Sequence, residues 1–196
     1  MPLPEPVARE LLHIRRVECR GYRRADGLWE VEGQLNDSRT FPYGGPGTPT
    51  VPANAAIHAM TVRLTFDDDL VIQAAAAETT AGPYPLCRDA APAVARLVGL
   101  RIKTGWMAEV HARIGGVGSC THIRELLGPM ATTLYQTLYP PMNNRFHAGD
   151  QTRTTTRFAL PPFDTCYALA TDRAVVQEHY PEHFGQADKE LKKKDK

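Results

Sequence analysis

Between residues 60 and 66 the chain alternates strictly, with Met60, Val62, Leu64 and Phe66 on one side and Thr61, Arg63 and Thr65 on the other. That period of two belongs to a β-strand with one buried face. Further along, the period changes. Ile123, Leu126, Leu127, Met130, Leu134 and Leu138 recur at helical spacing and predict a long amphipathic helix, kinked at Gly128-Pro129. Residues 12–23 and 28–35 flank an Asp26-Gly27 turn signal and predict a hairpin, with Trp29, Val31, Gly33 and Leu35 sharing one face. Asp67-Asp68-Asp69 reads as a solvated turn into a further strand from Leu70 to about Ala77.

Helices follow the strands. One is capped by Asp89 and runs to about Val98, a second carries Trp106, Val110 and Ile114, and a last short one covers about Asp172–His179. Strands first and helices after predict an α+β fold: a largely antiparallel sheet with three or more helices packed on one face. At 196 residues a single domain over 1–187 is expected. It would carry long loops at 41–55, where Gly and Pro abound, and at 140–163, with Thr155–Leu160 a possible edge strand. A charged tail would close the chain at 188–196.

A net charge of +1 excludes an electrostatic nucleic-acid binder, and no apolar run reaches the length of a membrane span. No basic segment followed by an apolar run opens the chain, so a cytoplasmic location is expected. In that compartment the four cysteines read as ligands, catalytic groups or core fillers rather than disulfides. Cys19 reads as core, and Cys166 stays open.

Cys87 lies behind Pro83–Pro85, and Cys120-Thr121-His122 lies behind Gly115–Gly118; each marks a helix start. Unpaired N–H groups at such a start favour thiolate, and thiolate with imidazole suits zinc or iron. His58, just before the alternating strand, completes a candidate Cys2His2 set of His58, Cys87, Cys120 and His122. His58 and His122 are also candidate proton-transfer groups, with Tyr84 placing a phenol nearby. Trp106, Arg145 and His147 are candidate substrate-binding residues. The bland alternative makes Cys87 and Cys120 small core residues and His122 a first-turn surface residue. No Gly-rich phosphate motif, Gly-x-Ser-x-Gly elbow or His-Glu-x-x-His helix is present.

Leu11-Leu-His-Ile-Arg-Arg-Val-Glu-Cys-Arg-Gly-Tyr22, Asp26-Gly-Leu-Trp29 and Gly118-Ser-Cys-Thr-His-Ile-Arg-Glu-Leu-Leu127 resemble a bacterial family of unknown function, as do Cys166 and Tyr180-Pro181. Residues 56–134 more remotely resemble the IscU/NifU iron–sulfur scaffold proteins: a strand from Met60, a cysteine opening a helix, and a Cys/His helix start. That resemblance implies Cys87, Cys120 and His122 as ligands and His58 at an aspartate position. Ala56 stands where the scaffold has its first cysteine, and the adjacent His-Cys pair has become Cys-x-His, which argues against cluster assembly.

The expected function is a metal-dependent enzyme acting on a small molecule, through zinc or iron. The family resemblance, linked with catabolism of aromatic compounds, narrows this to a carbon–carbon or carbon–oxygen lyase on an aromatic intermediate. The alternatives are an iron–sulfur or sulfur-transfer carrier and a structural-zinc binding module. A small-molecule substrate is expected as the partner, no nucleic acid or membrane, and a homodimer is possible.

Overall fold

The structure, a computed structural model, describes residues 2–186; the charged tail expected at 188–196 lies outside the described residues. It is α+β. Strands β1 (His13–Arg23), β2 (Trp29–Arg39), β5 (Ala56–Phe66) and β6 (Ile72–Ala81) form an antiparallel sheet in the order β1-β2-β5-β6. The Asp26-Gly27 hairpin sits where expected, Gly27 supplying the left-handed turn conformation at φ 87°. The Asp67–Asp69 turn is held by the Asp67 carboxylate, whose Oδ1 accepts from the backbone N–H groups of Asp69 and Val71 at 2.9 and 3.0 Å.

One face of the sheet is the core side. Along β2 the odd positions Trp29, Val31, Gly33, Leu35 and Asp37 are all buried, and on β5 Met60, Val62, Leu64 and Phe66 are buried. Helix α1 (Trp106–Ile114) buries Trp106, Val110 and Ile114. Helix α2 (Thr121–His147) buries Ile123, Leu126, Leu127, Met130, Leu134 and Leu138, the stripe read from the sequence. Each such side chain stabilises the fold by about 1.5–3 kcal/mol on burial. At Gly33 a Cβ would lie 2.6 Å from the Met130 sulfur, so the absence of a side chain on β2 sets how closely α2 approaches. Glu125 reaches Arg15 near the start of β1, and a Cβ on Gly21 near its end would strike Thr137. Helix α2 therefore runs along β1 in the direction of that strand.

Four local expectations change. The strand containing Met60 begins at Ala56, so His58 lies within β5 rather than before it. The segment 41–55 is not structureless: β3 (Tyr43–Gly45) and β4 (Thr48–Val51) pair across it. Asp89 does not cap a helix, because the chain takes 3-10 helical geometry from Pro85 to Leu97 with Tyr84 at the N-cap. The largest change concerns residues after Pro140. Helix α2 runs unbroken through Gly128-Pro129 and Pro140-Pro141 to His147, extending its buried stripe to Met142. Apolar burial here outweighs the hydrogen bonds that proline removes. The supposed strand at 155–160 is replaced by a short helix, α3 (Arg153–Thr156), whose N-terminus the Thr152 hydroxyl caps by accepting from Thr155 N–H.

The last short helix, α4, spans Ala174–His179. The described residues fall into two compact units that part between Tyr139 and Pro140, and the cluster described next belongs wholly to the first. No helix among the described residues is long and apolar enough to cross a membrane.

Candidate metal centre

The alternation that buries Trp29, Val31 and Leu35 carries on for one more step and buries a carboxylate, Asp37, which is fully inaccessible to solvent. An ion placed there needs partners. The sheet register supplies two directly: Arg15 of β1 lies opposite Asp37 on one side and His58 of β5 on the other. Three neighbouring strands thus set Arg15, Asp37 and His58 in one row across the core face.

Arg15 grips Asp37 with two parallel bonds, Nε donating to Oδ1 and Nη2 to Oδ2, each at 2.8 Å. This is the strong bidentate arrangement of guanidinium and carboxylate. His58 Nδ1 lies 3.0 Å from Asp37 Oδ2. Ionised Asp37 can only accept, so a His58 proton sits on Nδ1, and the tautomer that carries only that proton keeps a lone pair on Nε2. His13 Nε2 approaches Oδ1 at 3.4 Å. Burial pushes the Asp37 carboxyl up, but the Arg15 hydrogen bonds and charge, with His58, outweigh it and hold the pKa at about 2. The same pairing, set mainly by the hydrogen bond to Asp37, raises the Arg15 guanidinium above its ordinary value.

The start of α2 brings in the remaining groups. His122 Nε2 stands 3.8 Å from Asp37 Oδ2, beyond hydrogen-bond reach, while its Nδ1 is 3.6 Å from Cys120 Sγ. The His58 and His122 rings lie against each other with centroids 3.9 Å apart and planes tilted by 32°. Burial first, then the neighbouring His58 and Arg15 charges, push the His122 pKa below its usual value and favour the neutral ring. Glu125, one turn further along α2, accepts from Arg15 Nη1 at 2.7 Å and ties the helix to β1.

Asp37, His58 and His122 each offer a ligand atom, and these atoms all lie within 4.8 Å of one another. Of the four ligands expected from sequence, His58 and His122 meet here and Cys120 adjoins His122. Cys120 and His122 are two apart, yet both face inward because Cys120 precedes the first helical residue, Thr121. Cys87 is not in the cluster. It lies in the first turn of the 3-10 segment, against Gly82 just beyond the end of β6.

The other candidates disperse. Tyr84 is half exposed at the start of the 3-10 segment, and Trp106 is a core residue of α1. Arg145 forms an ion pair with Asp150, and His147 stands edge-on to Phe146; both belong to the second unit. Cys19 is half-buried, and burial raises its thiol pKa; Cys166 is exposed.

Sequence reasoning missed Asp37, Arg15 and His13. The signal for Asp37 was present, since it continues the apolar phase of β2 by one step. Arg15 does not follow from the Asp26-Gly27 turn alone: counting equally outward from those two residues sets Arg16 opposite Asp37, and the five-residue connection 24–28 moves the register by one to Arg15.

No curated protein and no solved structure matches the chain. A family model matches residues 13–136. Those residues start at His13 and include Arg15, Asp37, His58, Cys120, His122 and Glu125, so the whole cluster lies inside the match. The chain belongs to the family described as Protein of unknown function (DUF2889).

Proposed function

We propose that this chain is a metal-dependent enzyme acting on a small organic substrate. The observation that carries the reading is the convergence of Asp37, His58 and His122, with ligand atoms mutually within 4.8 Å, from two adjacent strands and one helix start. His58 Nε2, a ring nitrogen of His122 and Cys120 Sγ are the donors that would hold the ion. Nitrogen and sulfur donors of this kind suit zinc or ferrous iron. With both oxygens gripped by Arg15, Asp37 orients His58 rather than leading the coordination.

Such an ion, when bound, polarises a carbonyl or carboxylate oxygen as a Lewis acid. His13, near Asp37 and with a side chain 42% exposed, is the imidazole left free for proton transfer. A Lewis acid beside an imidazole base is the pairing that enolate-forming lyase chemistry uses, so carbon–carbon and carbon–oxygen lyase assays come first. Neither Trp106, in the core, nor the second-unit residues Arg145 and His147 lend support to an aromatic substrate.

The test is metal content. Protein purified without chelator is expected to carry about one equivalent of zinc or iron, and His58→Ala with His122→Ala is expected to lose it while circular dichroism stays unchanged. Cys87→Ala is expected to keep it. Metal-free wild-type protein, or a double variant that retains the metal, overturns the proposal. Strong visible absorption from a bound cluster would support the iron–sulfur carrier instead.

A further inference from the structure

The two edges of the four-stranded sheet are treated differently. Along β6 the outer edge is occupied at its start: Ile72 N–H donates to the Leu100 carbonyl and Gly99 N–H to the Ile72 carbonyl, both at 2.8 Å. Val71 also bridges to Arg101. Strand β1 has β2 on one side and, among the described residues, no strand on the other. An uncovered edge is a template for pairing, which proteins commonly blunt with charged side chains, proline, bulges or covering segments. Strand β1 is eleven residues long, contains no proline and pairs with β2 without a register shift. It also presents Val17 at 46% exposure, and the segment leading into it exposes Leu11 and Leu12 at 60% and 51%.

We infer that β1 is a self-recognition edge, and that two copies of this chain pair antiparallel through β1, centred on Val17. The charges along the strand select that register. Centred on Val17, Arg16 of one protomer lies opposite the partner's Glu18, and the symmetry repeats the pair. Val17 meets the partner's Val17, Leu12 meets the partner's Tyr22, and His13 faces the partner's Gly21. No like charges oppose one another. Moving the centre to Arg16 or to Glu18 sets that residue against itself, and moving it to Cys19 sets Arg15 against the partner's Arg23. Like charges directly opposite are destabilising, whereas opposite charges and apolar pairs stabilise a ladder.

Within one protomer Glu18 also touches Arg20 at 2.7 Å, an exposed contact that leaves the carboxylate open to a second cation. A closed two-fold pairing uses the edge completely, so assembly stops at two. The inference is independent of metal binding.

The test is the mass of the full chain in solution by sedimentation equilibrium. Wild type is expected at twice its 21.7 kDa. Glu18→Arg places arginines opposite each other and is expected to weaken the dimer by about tenfold or more. The double change Arg16→Glu with Glu18→Arg restores opposite pairs and is expected to recover it. Val17→Lys, with two ammonium groups at the centre, is expected to give monomer with an unchanged circular dichroism spectrum. A monomeric wild type, open-ended assembly, or a dimer unmoved by Glu18→Arg and Val17→Lys overturns the inference. Failure of the double variant to recover the dimer overturns the register.

Discussion

Two rows of the same sheet, on the same face and only four residues apart along β2, are held by different forces. At Gly33 the row continues to Val62 of β5 and is covered by Met130 and Leu126 of α2; apolar burial and close packing hold it. At Asp37 the row runs from Arg15 to His58 and is covered by His122. There a buried carboxylate is stabilised only by what it bonds to. The first row tolerates loss of a partner in proportion to the area exposed. The second does not, because removing one member strands the others as unpaired polar groups in a desolvated place.

Three measurements break this contrast apart. Asp37→Ala takes the carboxylate from His58 and leaves Arg15, 39% exposed, with Glu125 as its remaining anion, and is expected to cost about 3 kcal/mol in urea unfolding; a cost below about 1 kcal/mol would mean the polar row is dispensable. Leu126→Ala removes apolar cover from the other row and is expected to cost about 3 kcal/mol, with metal content unchanged. Loss of metal in that variant would show that the rows are not separable.

The smallest effect is the pH dependence of metal-free protein. The Asp37 pKa, at about 2, lies below the unfolded carboxylate value near 3.9, so the folded state binds this proton less readily than the unfolded chain. Its contribution is fully present above about pH 5 and is lost as pH falls towards 2, on the order of 2 kcal/mol. Urea midpoints between pH 6 and pH 2.5 should therefore fall more steeply for wild type than for Asp37→Asn. Parallel curves would refute the assignment.

The contrast also explains what could be read from the sequence. Periodicity reports area, so the strands, the apolar faces and the α2 stripe were legible, as was the hairpin from its Asp-Gly turn. The thiol–imidazole pair at a helix start was legible as chemistry. Asp37 was not, because an acid inside an apolar phase looks like the end of a strand until its partners are known. Those partners lie on two other strands, and only the sheet register brings them opposite. The prolines in α2 misled for a related reason: local propensity ends a helix at Pro140, but the buried stripe continues to Met142.

The contact of Gly33 with Met130 has a consequence for where length changes can be tolerated. It pins α2 against β2 eight residues after His122, so the intervening helix acts as a ruler that places His122 beside Asp37. One residue inserted between them would turn the imidazole by about 100° and shift it by about 1.5 Å relative to the pin. Insertions in Arg124–Pro129 should therefore abolish the site even if the core accommodates them. Substitutions on the solvent side of the same stretch should leave it intact.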